Sequence, residues 1–307
     1  MKRFLFNGLW FALFGVIFYL ALLIFWVELI PGAFRPNASY KVGAFGHLRS
    51  RIEEINYYEN VDVLFLGSSH AYRGFDTRIF NKSGIKTFNL GSSSQTPVQT
   101  QVLLSRYVNV LNPKTVVYEV YPETFMLDGV ESSIDLLAND RNDWRSVEMS
   151  MTIGSINVFN SLFYAFVADW TGRNDKFVEP RVQGGDQYIS GGYVEREVLE
   201  YCTPSRFDSK MLYQKYYQWV VFEEIVKSLK ARGIKVILVF APVTKYLYES
   251  YSNVEAFDSL MAASAEYYNF NEILSLEDTI HFYDYHHLNQ RGVELFNRKF
   301  LETVWAK

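Results

Sequence analysis

The sequence predicts an α/β protein in which a parallel, three-layer sheet follows one membrane-spanning helix. Two observations carry this reading. The run Leu9 to Val27, LWFALFGVIFYLALLIFWV, has no charge for 19 residues, and at helical rise it spans about 28 Å, close to the thickness of a hydrocarbon core. Beyond it, short runs of apolar and β-branched residues alternate with helical patterns. Continuous apolarity of that kind marks strands buried on both faces, and the alternation marks a parallel sheet covered by helices.

The chain opens with Met1-Lys2-Arg3, then the apolar run, then Glu28, Pro31, Gly32 and Arg35. Basic residues ahead of the span predict a cytoplasmic N-terminus over residues 1–8, a transmembrane helix over 9–30 and an extracytoplasmic remainder. A cleaved signal peptide would have a shorter apolar stretch followed by small residues, whereas Phe25, Trp26 and Val27 lead into Glu28-Leu29-Ile30-Pro31, so a retained anchor is expected. Trp10 and Trp26 suit the two interfaces.

Residues 31–58 read as a juxtamembrane connection with a short helix near Arg49 to Tyr57. The remaining 59–307 form the main domain. Val61 to Gly67, Thr87 to Gly91, Thr115 to Tyr121 and Lys235 to Pro242 read as strands; Phe75 to Phe80, Pro97 to Leu111, Met211 to Ala231 and Arg291 to Trp305 read as helices. Residues 125–209 break the rhythm and carry the glycine-rich VQGGDQYISGGYVERE. They are too long for an ordinary loop. They read as an insertion with its own helices, lying over the strand ends as a lid or covering an edge of the sheet.

Composition narrows the partners. Lys and Arg number 30 against 34 Asp and Glu, a net charge of −4, which gives no general reason to expect nucleic acid. The single cysteine, Cys202, excludes an intramolecular disulfide and thiolate metal clusters, and reads as a buried structural thiol.

The chemistry rests on histidines. Three of the five, His281, His286 and His287, lie in HFYDYHHLNQRG. Asp284 and His287 are three apart in a turn opening the last helix, close enough for the carboxylate to orient the imidazole through Nδ1 and leave Nε2 to take a proton from a hydroxyl. Ser69, in LFLGSSHAYRG at the end of the first strand, offers that hydroxyl if the turn folds back above the sheet. Taken alone, Gly-Ser-Ser at a strand-to-helix junction needs nothing more than a helix N-cap. His70 and His286 read as neighbours. A metal site of His70, His287 and Asp284 has suitable ligand types but no convincing spacing, so no metal and no cofactor is expected.

LFLGSSHAYRG, NLGSSSQT and DYHHLNQRG resemble, in order, the first, second and fifth sequence blocks of the SGNH/GDSL hydrolase superfamily. The resemblance implies a flavodoxin-like α/β/α sandwich. It also implies a nucleophile at Ser69, with Ser68 at the position usually held by Asp, a base at His287 and its partner at Asp284. The oxyanion hole would come from the backbone N–H groups of Ser69 and Gly91, with Asn89 beside them. The family's third block should supply an asparagine donor; here the stretch is EVYPETF, with Glu123 near that position. This departure resembles a divergent membrane-anchored branch that includes the D-alanine transfer protein of teichoic acid operons and alginate O-acetylation proteins.

What the resemblance implies is a membrane-anchored serine esterase or O-acyltransferase acting on a cell-envelope polysaccharide or other polymer. A membrane-bound O-acyltransferase is among its implied partners. The rival reading is a non-catalytic accessory protein that binds the polymer or such an acyltransferase.

Overall fold

In the computed structural model, residues 1–197 and 207–305 are described; Cys202 lies outside them. The chain begins with α1 (Lys2–Leu29), long and apolar enough to cross a membrane. It continues through α2 (Leu48–Glu54), β1 (Val63–Leu66), α3 (Ser69–Gly74), α4 (Thr77–Lys82), β2 (Thr87–Asn89), α5 (Pro97–Leu111) and β3 (Thr115–Glu119). The 125–209 segment supplies α6 (Val130–Asn139), α7 (Trp144–Ile153) and α8 (Ile156–Thr171), then β4 (Val182–Gln183), β5 (Asp186–Ile189) and β6 (Tyr193–Arg196). The domain closes with α9 (Tyr216–Ala231), β7 (Lys235–Phe240), α10 (Lys245–Ser250), α11 (Val254–Ser264), β8 (Glu266–Asn269), α12 (Phe270–Ile273), α13 (Asp278–His281) and α14 (Gln290–Phe300).

Five strands make one parallel sheet in the order β2-β1-β3-β7-β8. Counted along the sheet's own strands this is 2-1-3-4-5, the flavodoxin-like order, whose reversal point lies at the C-terminal edge between β1 and β3. Strand period divides the core in two. Leu64, Leu66, Val116, Tyr118, Leu238 and Phe240 join the apolar cluster with α5 and α9. Val63, Phe65, Val117, Ile237 and Val239 join a second one with Phe75, Phe80, Val293, Phe296 and Phe300. Helices therefore cover both faces, giving three layers.

Several elements depart from the sequence expectation. The helix expected over Phe75 to Phe80 starts two residues later as α4, because Asp76 caps it by accepting from Arg78 N at 3.0 Å, and the short α3 ahead of it was not expected. Helix α9 starts at Tyr216 and not at Met211: Lys210 bridges to Tyr251, and Leu212 N donates to Asn253 Oδ1 at 2.7 Å. The α14 pattern ends at Phe300 and continues as a π-helical turn, Leu301–Trp305. Strand β8 and the antiparallel sheet β4-β5-β6 were not anticipated.

Candidate active site

The junction between β1 and α3 uses its two serines differently. Gly67 has φ +133°, and a Cβ there would lie 2.7 Å from the Glu119 carbonyl, so only glycine lets the chain turn this close to β3. Ser68 is the N-cap of α3, its Oγ accepting from His70 N at 3.3 Å. Ser69 is the first residue of α3, and its Oγ lies 2.8 Å from His287 Nε2.

The partner imidazole is delivered by a tight turn. Phe282 and Leu288 pair as an antiparallel bridge, and Tyr283 N donates to the His287 carbonyl at 3.1 Å. Within that turn Asp284 Oδ1 accepts from His286 N and His287 N at 2.9 and 2.7 Å, while Oδ2 is 2.8 Å from His287 Nδ1. Asn289 caps α14 by accepting from Gly292 N at 3.1 Å. The Tyr283 ring faces the His287 ring at 5.4 Å, nearly parallel.

Electrostatics sort the protons. Burial would raise the Asp284 carboxyl, but the hydrogen bond and charge of His287 outweigh it and hold the group at about 2. Asp284 is thus an ionised acceptor, so His287 Nδ1 carries the proton and Nε2 is left to accept from Ser69. Burial pushes His287 below its ordinary value against the pull of Asp284, which keeps the imidazole neutral at neutral pH.

The other expected residues fall behind this front. Ser68 Oγ is hydrogen-bonded to Glu119 Oε2 at 3.2 Å and to His70 Nδ1 at 3.1 Å; His70 Nε2 is 2.9 Å from the His286 carbonyl. Asn89 is fully buried and acts as a bracket, donating to the Ala71 carbonyl at 2.8 Å and accepting from Gly91 N at 3.1 Å. A Cβ on Gly91 would sit 3.0 Å from Ala71 Cβ and from the Gly67 and Ser68 carbonyls, so glycine there lets the β2 loop close on the β1 loop. Its N–H is taken by Asn89, whereas that of Ser69 has no acceptor among the described residues.

Glu123 does not line the site. The 3₁₀ turn Pro122–Phe125 carries it to Lys210 Nζ at 2.7 Å and Tyr251 Oη at 2.9 Å. From the end of β3, Glu119 reaches Ser68, and the Tyr121 ring covers His70 at 4.1 Å.

Ser69, His286 and His287 open into a polar cleft of about 380 Å³. Its other walls come from two segments, only the second of which was expected over the strand ends. Ala44 to His47, from the juxtamembrane connection, form one; Gln183, Gly184 and Asp186, from the β4-β5 hairpin, form another. Asp186 binds Arg73 of α3 in a two-pronged pair, 2.8 and 2.6 Å, and also Arg196 at 2.8 Å. The insertion is therefore split: its hairpin walls the cleft, and its helices α7 and α8 pack on α5 and α1. Ser93 and Ser94, inside the NLGSSSQT stretch, were the cleft residues nearest to being legible.

The ring nitrogens of His70, His286 and His287 come within 4.8 Å of one another. Those of His287 already hold Asp284 and Ser69, and those of His70 hold Ser68 and the His286 carbonyl. A metal ion bound by all three would break the contacts that build the site.

No protein-family model matches the chain, and no curated protein matches it. Among solved structures the chain is similar to a GDSL-like lipase from Bacteroides thetaiotaomicron, at 13% identity over 84% of this chain and 96% of that one, with a TM-score of 0.40. It is also similar to a protein assigned as an acylhydrolase from Bacteroides fragilis, at 13% identity over 84% and 95% of the two chains, TM-score 0.41. At such identity and TM-score these likenesses add nothing about activity, and the fold class stands on the strand order.

Proposed function

We propose that the chain is a membrane-anchored serine esterase or O-acyltransferase, its N-terminus cytoplasmic and its domain extracytoplasmic, acting on an acylated envelope polysaccharide or polymer. The observation that carries the reading is the unbroken row Ser69 Oγ, His287 Nε2, His287 Nδ1, Asp284 Oδ2, with 2.8 Å at each hydrogen bond. Ser69 Oγ attacks the acyl carbonyl carbon as His287 Nε2 takes its proton, and the charge on the carbonyl oxygen develops toward the Ser69 N–H. Collapse expels the polymer alkoxide, which receives the proton from His287. Water or a sugar hydroxyl then attacks the acyl-enzyme by the same steps in reverse roles, releasing Ser69. The polar cleft suits a hydroxyl-rich substrate better than a long acyl chain.

One observation favours a second reading, a non-catalytic protein that binds such a polymer or a membrane-bound O-acyltransferase. The Gly91 N–H is spent on Asn89, and Glu123 brings no donor to the site. A fluorophosphonate probe separates the two. Labelling of the detergent-solubilised full chain that disappears in Ser69→Ala supports the enzyme; no labelling of a folded protein supports the binding reading.

A further inference from the structure

Helix α8 is apolar on two faces. Val158, Leu162, Ala165 and Ala168 are buried against the domain. Ile156, Phe159, Phe163, Phe166 and Trp170 follow one another at alternating steps of three and four, the spacing of a single helical stripe, in which Phe163 is half-buried against the apolar cluster and the other four face outward. Ile156 is 56% exposed, Phe159 and Phe166 39%, and Trp170 87%. Four exposed apolar side chains along one helix face mark an interaction surface.

Its position beside α1 says what covers it. Leu23 and Val27 of α1 are buried, Tyr19 Oη donates to Asn160 Oδ1 at 2.8 Å, Tyr164 Oη donates to Glu28 Oε1 at 2.6 Å, and Arg173 pairs with Glu28. Helix α8 therefore climbs along the second half of α1, its Asn160 level with Tyr19 and the Arg173 after its end level with Glu28. A hydrocarbon core takes about 20 residues; counted from Leu9, where the expected span begins, it ends near Glu28. Tyr19 then lies about 13 Å inside it.

Two polar side chains at this level, Asn157 and Asn160, are paired internally, as a lipid environment favours. Asn157 accepts from Ser39 N at 3.0 Å and donates to Ser39 Oγ at 3.1 Å; Asn160 accepts from Tyr19 and donates to the Asn37 carbonyl at 2.8 Å. Going outward the stripe runs from Ile and Phe to Trp170, then to Arg173, the order of hydrocarbon, interface and headgroup.

We propose that the α8 stripe is seated in the phospholipid leaflet on the domain's side, alongside α1. The domain then rests on the bilayer through two elements, the stripe running from the hydrocarbon level of Tyr19 outward to the headgroup level of Glu28. A cleft of about 430 Å³ between Leu22, Trp26, Phe34 and Pro36 adjoins this contact and has room for an acyl chain. This proposal rests on the reading of α1 as a membrane anchor.

The test uses the full chain with Cys202→Ser and one new cysteine, Phe11→Cys, Phe159→Cys, Phe166→Cys or the exposed α9 control Lys227→Cys, each carrying an NBD fluorophore. Each protein is reconstituted alone in phosphatidylcholine and phosphatidylglycerol nanodiscs, with and without doxyl-labelled lipid. Quenching of about twofold or more at 11, 159 and 166, with none at 227, is expected of a helix at that depth. Quenching at 11 with both stripe positions unquenched and open to aqueous iodide overturns the proposal and leaves the stripe as a surface for a protein partner. Absence of quenching at all three overturns the anchor reading, and the proposal with it.

Discussion

The His286 carbonyl can only accept, so His70 Nε2, 2.9 Å away, must carry that ring's proton. Burial among neighbouring histidines holds His70 well below its ordinary value and neutral, which leaves Nδ1 an acceptor for the Ser68 hydroxyl. Ser68 then has no proton left for Glu119, and the 3.2 Å contact between them needs a protonated carboxyl. Burial supplies it, pushing Glu119 up to about 8. The row behind Ser69 is thus neutral and fixed in direction near pH 7. Glu119→Gln, an amide that also donates, should leave fluorophosphonate labelling at neutral pH within about twofold while removing the carboxyl's share of the fall in stability as pH rises to about 8. Loss of labelling in that variant would mean that Glu119 works as a carboxylate. In front of this row, Asp284→Asn keeps the shape of the turn but permits the wrong His287 tautomer. Labelling should slow by about 10³–10⁴-fold, and the wild-type acid limb should have its midpoint below about 6.5, the unperturbed imidazole value, since His287 is pushed down.

Among the elements, the hairpin β4-β5 depends on one carboxylate. Asp186 holds Arg73, whose side chain is only 13% exposed, and Arg196. Asp186→Ala leaves the Arg73 guanidinium buried without that partner and should cost about 3–5 kcal/mol. Chemical denaturation reads that loss, and Ser69 labelling reads the loosened cleft wall; a change under about 1 kcal/mol would show that water reaches Arg73 freely. The strands of this hairpin were not legible in the sequence, and the reason is physical. Strands β1, β3 and β7 are buried on both faces and spell continuous apolar runs. Strand β5 is short and mixed, with Gln187 exposed, and β8 is an edge strand whose EYYN is half open to water. The turn Phe282 to Leu288 was legible because its partners are three residues apart, whereas Ala44 to His47 reach the cleft through contacts far along the chain, for which no local pattern exists. Glu123 was expected beside the site only because the resemblance put it near the third block's asparagine, and the 3₁₀ turn carries it to Lys210 and Tyr251 instead.

Across the whole molecule, burial works against charge at both signs, and this fixes how stability depends on pH. Four of the five histidines, His47, His70, His286 and His287, are pushed down, in each case mainly by burial. Three acids among the described residues, Glu119, Asp135 and Asp258, are pushed up by the same cause. Below the ordinary imidazole value of about 6.5, the unfolded chain takes up protons at four histidines that the folded chain refuses. The three acids oppose this by keeping protons in the fold, but they are outnumbered, so stability falls on acidification. Each unbalanced proton contributes a slope of about 1.4 kcal/mol per pH unit. Above about 6.5 the histidines are neutral in both states and drop out of the balance. The acids then act alone: the folded chain retains protons that the unfolded chain has lost, and stability falls as pH rises until Glu119 ionises at about 8. The unfolding temperature of the detergent-solubilised full chain should therefore peak near pH 6.5 and decline on both sides. In Glu119→Gln the alkaline decline should shrink while the acid decline stays. A wild-type unfolding temperature that is flat from pH 5 to 6.5 would mean the histidines are hydrated in the fold, and with that the neutral, hydrogen-bonded row behind Ser69 would be lost as an account of the site.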